Sequence, residues 1–290
     1  MTRHSTLLLA LALGGCVERL IEDSAFVDSQ DDGTDGTDGS DDGPELTTGI
    51  DPGADDDPAT TSAPDDSGAD SSGTVPDPPP ESRVRVMHLG VFVPPVDVFA
   101  NGAGPVFADV GFRTSSSYAE VPAGPYVFDV VLSGSPPEQA VLSPELNLAP
   151  ATAYTAVAVG DLTDTGDTGI QILALVDDDV GIDSGTVRIT VIHAAPAVGQ
   201  VDVLEVSGDP IPLVENLDFA GATTLPDLPA IPFEIGLDVN DDSTADVTFR
   251  VDTTPLAGQQ VNLYANNDEL GGVVLVAQLG DGTTLTIPPS

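Results

Sequence analysis

The sequence predicts an all-β protein in which two tandem antiparallel Ig-like β-sandwich modules follow a disordered acidic tether. Three observations support this fold class. Between residues 83 and 290, short runs rich in Val, Thr, Tyr, Phe and Ile alternate with clusters of Gly, Pro, Asp and Ser at intervals of about 8–12 residues. No helical period longer than a turn or two occurs there. A strand, turn and strand pattern occurs twice, at residues 84–98 (VRVMHLGVFVPPVDV) and 189–203 (ITVIHAAPAVGQVDV).

The N-terminal segment, residues 1–15, is predicted to be a signal peptide. Arg3 precedes an apolar run at residues 7–13, which is too short to cross a bilayer because a span needs roughly 20 apolar residues. The ending LGGC resembles the bacterial lipobox, in which the Cys thiol accepts a diacylglycerol and the peptide is cut just before the Cys. This resemblance implies lipidation of Cys16 and attachment to a membrane through the N-terminal lipid. The alternative is an ordinary secretory signal followed by an incidental free Cys.

The residues after Cys16 favour the outer membrane or the cell surface as the location. Val17 and Glu18 follow the Cys, instead of the Asp that marks inner-membrane retention in some bacteria. The folded part is then expected to be periplasmic or extracellular.

Residues 16–82 are predicted to form the lipidated start and a disordered tether. After the Cys they contain 20 acidic side chains and one basic side chain, Arg19, among many Gly, Ser, Thr and Pro residues. Such a segment buries too little apolar surface to offset the entropy of ordering it. Charge repulsion and the Pro-rich end at residues 75–80 are expected to extend it.

The composition excludes two classes of function. The chain has 48 Asp and Glu residues against 7 basic residues, all of them Arg, for a formal net charge of −41. No nucleic-acid partner is expected, since binding requires a basic patch that neutralises phosphates. One Cys and no Trp leave no internal disulfide and no Cys-rich metal cluster.

Two β modules are predicted, at residues 83–180 and 186–290, because the repeated pattern continues at a nearly constant offset. The offset is 105 residues between His88 and His193, and 107 residues between Phe112 and Phe219. Hydrophobic positions stay in register although most other residues differ, which favours two similar sandwiches over one irregular sandwich.

The repeated region resembles the bacterial domain-of-unknown-function family 4397 (DUF 4397) over about residues 83–280. The resemblance depends on four motifs, which are HAAP at 193–196, VDV at 201–203, VPAG at 121–124 before Tyr126, and AYT at 153–155. The first copy lacks the Ala-Pro after His88, and the second copy has Ile231 where Gly is usual. The resemblance implies a duplicated β fold and no particular chemistry, because the family has no assigned activity.

Two His and Asp pairs are the first candidate site. His88 and His193 each end a predicted strand, and Asp97 and Asp202 follow nine residues later. A His-Asp pair can orient a general base, but catalysis also needs a nucleophile or a metal, and the chain has no G-x-S-x-G or H-E-x-x-H motif. Because the pair occurs in both copies, we expect structural turn pairs, in which the imidazole binds turn backbone and the Asp caps the same turn.

An acidic segment of the second module is a candidate calcium site. Asp238, Asn240, Asp242 and Asp246 occupy positions 1, 3, 5 and 9 of a calcium-loop spacing, but Ser243 replaces the usual Gly and position 12 lacks the bidentate acid. The alternative is an acidic hairpin tip. We expect no required cofactor, with calcium as the open alternative. Two acidic segments are weaker candidates, at residues 161–167 and at 177–183, the second being the predicted linker between the copies.

The expected function is that of a surface-anchored cell-envelope lipoprotein acting as a non-enzymatic binding or structural display module. Its partner would be an extracellular or envelope protein or a glycan, which the sequence does not identify. A calcium-stabilised adhesion or carbohydrate-binding module is the alternative, since divalent ions would relieve acidic self-repulsion. A hydrolase that uses hidden carboxylates or the His-Asp pairs is the third hypothesis.

Overall fold

A computed structural model describes residues 80–268 and 270–290. The predicted signal peptide, the predicted lipidation site at Cys16 and the predicted disorder of the tether up to residue 79 lie outside these residues. The first strand begins at Glu81, two residues before the predicted start of the first module.

Strands make up the described region in two sets, which we call the first half (residues 81–177) and the second half (residues 186–287). The first half contains β1 (Glu81–His88), β2 (Val96–Ala100), β3 (Ala103–Val110), β4 (Ala119–Pro122), β5 (Gly124–Leu132), β6 (Glu145–Leu148), β7 (Ala153–Val159) and β8 (Gln171–Asp177). The second half contains β9 (Thr186–Ala194), β10 (Val201–Glu205), β11 (Ile211–Leu217), β12 (Ala222–Thr224), β13 (Leu228–Pro229), β14 (Pro232–Asp238), β15 (Val247–Asp252), β16 (Gln260–Asn267), β17 (Val273–Gln278) and β18 (Thr284–Ile287). Single 3₁₀ turns occur at Pro137–Gln139 and Thr254–Leu256.

Each half is a sandwich of an inner and an outer sheet, where the inner sheet is the one that contacts the other half. In the first half the inner order is β4-β1-β7-β8 and the outer order is β3-β2-β5-β6. In the second half the inner order is β12-β9-β16-β17-β18, with β13 also paired to β9, and the outer order is β11-β10-β14-β15. The predicted all-β, sandwich-like fold class is confirmed.

The pairing differs from the prediction in one respect, because each inner sheet contains a parallel pair. β1 runs parallel to β7, and β9 runs parallel to β16. Between the two members of each pair the chain crosses the outer sheet and returns in the same direction, which is the long connection that parallel neighbours need. The remaining strand pairs are antiparallel.

The first strand shows why the inner sheets are buried on both faces. Val84 and Val86 point into the core of the first half, whereas Met87 belongs to a second apolar cluster shared with the other half. Alternate residues of a strand point to opposite faces, so one strand serves both layers. Complete burial of a side chain such as Met87 contributes about 1.5–3 kcal/mol to stability.

The shared cluster, which we call the interhalf layer, joins the two sandwiches. It contains buried side chains from both inner sheets, namely Met87, Leu89, Val157, Val159, Ile192, Ala194, Tyr264, Val274 and Val276. The two halves also have separate cores between their own sheets. The described residues therefore form one unit with three apolar layers, and the sequence analysis did not predict the middle one.

Candidate functional site

His88 organises the turn that follows β1. Its Nε2 donates to the Pro94 carbonyl at 3.2 Å, and its Nδ1 accepts from the Gly90 N–H at 3.2 Å. The edge of the ring also meets Phe112 at a centroid distance of 6.2 Å. Because one nitrogen faces a carbonyl and the other faces an N–H, the imidazole is held neutral with its proton on Nε2.

His193 repeats this arrangement in the second half. Its Nε2 donates to the Gly199 carbonyl at 2.7 Å, its Nδ1 accepts from the Ala195 N–H at 3.3 Å, and its ring meets Phe219 at 5.9 Å. Burial lowers the pKa of both imidazoles, although the backbone carbonyls beside Nε2 oppose the shift. Both rings are almost fully buried, and both nitrogens of each ring bind the backbone of the turn that follows the strand.

Asp97 lies in a different turn from His88. Its Oδ1 accepts from the Asp109 N–H at 2.7 Å and the Ser133 hydroxyl at 2.9 Å, and its Oδ2 accepts from the Gly134 N–H at 2.9 Å. The hydrogen bond from the Asp109 N–H is the main cause that lowers the pKa of Asp97, followed by the bond from Gly134. Asp109 has a left-handed φ of 53° and lies where the β2–β3 register shifts, so the carboxylate caps a β-bulge.

Asp202 caps the equivalent bulge in the second half. Its Oδ1 accepts from the Asn216 N–H at 2.6 Å, and Asn216 has a left-handed φ of 55°. The His and Asp residues that the sequence grouped as turn pairs therefore serve two separate turns in each half. Neither Asp is engaged as the orienting carboxylate of a general base.

The acidic segment after β14 is a hairpin tip organised by Asp238. This side chain is buried, and it accepts from the N–H groups of Asn240 at 3.0 Å, Asp241 at 2.8 Å and Ser243 at 2.7 Å. Burial acts to raise the pKa of Asp238, but the backbone N–H groups together outweigh it and lower the pKa.

The other predicted calcium ligands bind neighbouring groups in the same tip. Asp246 accepts from the Val239 N–H at 2.8 Å and from the Asn240 amide at 2.9 Å, and Asp242 accepts from the Thr244 N–H at 2.9 Å. Within residues 80–268 and 270–290, no group of three or more His, Cys, Asp or Glu side chains is arranged to hold a metal ion. Calcium binding at this tip stays a prediction.

An open groove of about 240 Å³ brings together residues from the two candidate sites. Its lining includes Asp202, Asn216, Asp238 and Asn240. The carboxylates of Asp202 and Asp238 that line it already accept backbone hydrogen bonds, so their oxygens stabilise the loops around the groove.

The closed spaces inside the sandwiches are small and apolar. The first-half core contains a cavity of about 30 Å³ beside Val86, Phe128 and Ala156, and the second-half core contains one of about 10 Å³ beside Val191 and Leu263. Neither is large enough for an organic ligand, since typical ligand pockets measure about 300–1,000 Å³.

A buried polar cluster lies beside the interhalf layer, and the sequence patterns did not predict it. Arg85 and Asp177 form an ion pair at 3.5 Å with side chains only 4% and 2% exposed. The Thr155 hydroxyl donates to Asp177 at 2.5 Å and accepts from the Arg85 Nε at 2.8 Å, and the Tyr118 hydroxyl donates to Asp177 at 2.6 Å. Asp177 ends β8 and is not part of the linker to which the sequence analysis assigned it.

The same cluster crosses to the second half. Arg85 donates to the Leu279 carbonyl at 2.7 Å, and the Asn262 amide donates to Asp177 at 3.1 Å. Gln278 accepts from the Tyr264 hydroxyl at 2.8 Å and donates to the Ser115 hydroxyl at 2.6 Å. We call these eight side chains the interhalf polar network, which consists of Arg85, Ser115, Tyr118, Thr155, Asp177, Asn262, Tyr264 and Gln278.

Protonation states in this network are fixed by burial and charge. Burial is the main cause that raises the pKa of Tyr118 and of Tyr264, and the nearby Asp177 carboxylate raises both further. Both phenols therefore remain hydrogen-bond donors. Every buried side-chain N or O atom among the described residues has a hydrogen-bond partner, as is usual for polar groups inside a protein.

A third contact between the halves lies at the end of the strands. The Asn266 amide donates to the Leu89 carbonyl at 3.1 Å and to the Ala194 carbonyl at 2.9 Å. Arg113 donates to the Asn266 side chain at 3.2 Å and to the Asn267 carbonyl at 2.6 Å. No sequence pattern indicates this interface, because Arg85 alternates with Val84 and Val86 as a solvent-facing residue of a surface strand would.

Within residues 80–268 and 270–290, the structure contains no helix with the length and apolar character of a membrane span. No curated protein matches the chain. Among solved structures, one titled "The Bacillus anthracis TIE protein" is similar at 11% identity with a TM-score of 0.20, over 72% of this chain and 44% of that one. The chain therefore spans less than half the length of that protein.

A family model gives the match that bears on identity. The model described as "Domain of unknown function (DUF4397)" matches residues 82–204. The matched range covers the first half, crosses the predicted boundary at residues 180–186 and ends in β10. Residues 82–204 are thus similar to the DUF4397 family, which confirms the predicted resemblance for part of the range of about residues 83–280.

Proposed function

We propose that the chain is a lipid-anchored envelope protein whose β-sandwich unit acts as a non-enzymatic binding or structural display module in the outer membrane or on the cell surface. One observation carries the proposal. The buried polar side chains with catalytic potential bind turn backbone or join the two halves, as His88, His193 and Asp177 illustrate. Because these side chains stabilise turns and the contact between the halves, the unit is suited to presenting its surface to a partner.

The two halves are further proposed to be copies of one DUF4397 module. Two observations support this proposal, namely the shared order of strands and the equivalent turns around His88 and His193. Joined through the interhalf layer, the copies would present their loops and sheet edges at fixed positions at the end of the tether.

Anchoring is tested by replacing the predicted lipidation site in the full chain. Cys16→Ser is expected to move the protein from the membrane fraction to the soluble fraction, whereas the control Ser24→Ala leaves it in the membrane fraction. Mass spectrometry of the N-terminal peptide should find acyl chains only when Cys16 is present. Equal membrane retention of Cys16→Ser would contradict the anchor.

Display is tested on intact cells by adding a protease. Cleavage of the tether at the cell surface, with release of a folded fragment, supports surface display. Complete protection until the outer envelope is opened would place the module in the periplasm and overturn the surface version of the proposal.

The enzyme hypothesis is tested with ester and glycoside substrates and the variants His88→Ala and His193→Ala. We expect no turnover above that of buffer, because both imidazoles are buried and bonded at both nitrogens. Turnover that is lost in one variant, while circular dichroism shows that the chain remains folded, would contradict the non-enzymatic proposal.

Calcium stabilisation is tested by melting the protein in EDTA and then in millimolar Ca²⁺. The midpoint is expected to stay unchanged, because Asp238 and Asp246 already accept local hydrogen bonds. A midpoint that rises with calcium would favour the adhesion alternative.

A further inference from the structure

The two inner sheets end differently at equivalent strands. In the second half, β18 pairs antiparallel with β17 on the side that faces away from β16, from Leu275↔Ile287 to Gln278↔Thr284. In the first half, β8 pairs with β7 on one side, and no strand among the described residues covers its other side. The second half thus contains, within the same chain, an occupied version of an edge that the first half leaves open.

The open edge of β8 lacks most of the features that normally prevent pairing with another chain. Residues 171–176 (QILALV) contain no charged residue and no Pro, and the pairing with β7 runs without a shift from Val159↔Gln171 to Ala153↔Asp177. The last residue of the strand, Asp177, is charged, but its side chain is only 2% exposed and pairs with Arg85 inside the protein. A long, regular and apolar edge is a template for an added strand. The other edge strands are shorter or contain a Pro, a charged residue or a register shift, namely β3, β4, β6, β11, β12, β13, β15 and β18.

An added strand beside β8 would bury apolar surface on both faces of the sheet. Ile172 packs partly buried against the first-half core, and Leu173 and Leu175 pack partly buried against the interhalf layer. Val176 is 48% exposed. Main-chain hydrogen bonds to β8 would supply affinity, and the alternate side chains would supply specificity.

The acidic loop at the start of β8 indicates which charge a partner segment would need at the end that lies beside it. The loop before β8 contains Asp161, Asp164 and Asp167. The hydrogen bond from the Thr168 hydroxyl is the main cause that lowers the pKa of Asp164, so this carboxylate stays ionised. If the added strand is antiparallel to β8, as β18 is to β17, its C-terminal end lies beside this acidic loop.

We propose that the open edge of β8 binds an extended segment of a partner protein as an antiparallel strand, with alternating apolar residues followed by Lys or Arg. This inference rests on the proposed display function and deepens it by naming a partner class. A second copy of the chain fits poorly, because antiparallel pairing of two β8 strands would set the acidic loop of each copy beside Asp178 and Asp179 of the other.

The test uses the full chain and the synthetic peptide TLTITVKK, which extends the alternation of β18 (TLTI) and adds the basic end. Amide hydrogen exchange should show new protection at alternate residues of β8 when the peptide is added. The peptide TLTITVEE should bind at least about tenfold more weakly, because its end repels the acidic loop. The peptide TLPITPKK should not bind, because Pro removes ladder donors.

Two matched variants locate the site. Val176→Lys places a charge on the edge strand and should weaken TLTITVKK binding by about tenfold or more, since a Lys on an edge disfavours pairing. Val180→Lys adds the same charge at a residue that is 76% exposed and lies outside β8, and it should change binding little. Both positions are exposed, so both variants are expected to fold.

The outcomes separate this inference from the anchoring proposal. Protection of β8 with loss in Val176→Lys alone supports strand addition. Protection elsewhere, equal effects of the two Lys variants or equal binding of TLTITVEE overturns it. Protection of β8 by the chain alone at rising concentration, with a doubled mass, would show that a second copy occupies the edge and would also overturn it. Failure of TLTITVKK to bind would overturn the inference as well, and it would leave the Cys16 fractionation result unaffected.

Discussion

The two halves of the molecule share an order of strands but differ in how their turns and edges are completed. Both use a buried His against a Phe ring after the first strand, and both use an Asp to cap a bulge in the outer sheet. The second half completes its inner sheet with β18, whereas the first half leaves β8 open. The groups that both halves share maintain the fold, whereas the strands that differ give each half its own surface.

The largest expected effect comes from breaking the interhalf ion pair. Asp177→Asn leaves the Arg85 charge buried and should lower the free energy of unfolding by about 3–5 kcal/mol. The control Asp179→Asn removes an exposed carboxylate that pairs with Arg83 at 3.6 Å and should cost about 0–1 kcal/mol. Denaturant unfolding of the two variants provides the measurement, and equal stability would show that the pair is dispensable.

Substitution of the turn histidines compares the halves directly. His88→Ala and His193→Ala each leave one buried backbone N–H without a partner, that of Gly90 or Ala195, so each should cost about 1–3 kcal/mol. Similar losses are expected, because the hydrogen bonds are equivalent. A large loss in only one half would mean that the two turns do not have the same role.

The bulge carboxylates should differ between the halves. Asp97 accepts three hydrogen bonds, from Asp109, Ser133 and Gly134, whereas Asp202 accepts one, from Asn216. Since a hydrogen bond to a charged group contributes about 1.5–3 kcal/mol, Asp97→Ala should destabilise the chain more than Asp202→Ala. Thermal melts at equal protein concentration check this order, and a reversed order would contradict the assigned roles.

The sandwich class could be predicted from the sequence, because a period-two pattern is a local signal of a strand. The equivalence of His88 and His193 could be predicted as well, because the two copies repeat at a nearly constant offset. The prediction that each Asp caps the same turn as its His was wrong, because Asp97 and Asp202 cap bulges in the outer sheets. A spacing of nine residues does not reveal where a strand shifts register. The interhalf layer was not predictable. Arg85 looks like a solvent-facing residue of β1 until Asp177 and Asn262 are brought beside it by the packing of distant strands.

Stability should fall as the solution is made acidic, in two separate steps. Burial lowers the pKa of His88 and His193 from the ordinary 6.5, so the unfolded chain binds more protons below that pH. The contribution of these two histidines to the free energy of unfolding is fully present above pH 6.5. It is lost as the pH falls toward the lower pKa of the folded state. The hydrogen-bonded Asp97 and Asp238, whose pKa is lowered from 3.8, lose their contribution only as the pH falls below that value.

Urea unfolding between pH 4.5 and 8 separates the first step from the second. The double variant His88→Asn and His193→Asn should have a flatter profile over that range than the unmodified chain. A profile that keeps the same slope without the histidines would assign the acid sensitivity to other groups.

The smallest expected effect on stability comes from substitutions in the turn after the first strand of each half. Phe92 is 67% exposed with a left-handed φ of 60°, a conformation that is unfavourable for a bulky residue. Phe92→Gly should therefore stabilise the chain by about 1 kcal/mol. Ala197 occupies the equivalent position and is not among the described residues with positive φ, so Ala197→Gly should destabilise by about 0.5–1 kcal/mol. Melting midpoints that move in the same direction would contradict this comparison.

The interhalf layer joins the two sandwiches, so we expect them to open and unfold as one unit. Native-state hydrogen exchange of the full chain in increasing denaturant tests it most directly, with core amides followed in β1 and β7 of the first half and in β9 and β16 of the second. All four strands are expected to exchange through one opening with the same free energy and the same denaturant dependence. Separate openings, in which one half exchanges while the other stays protected, would contradict it.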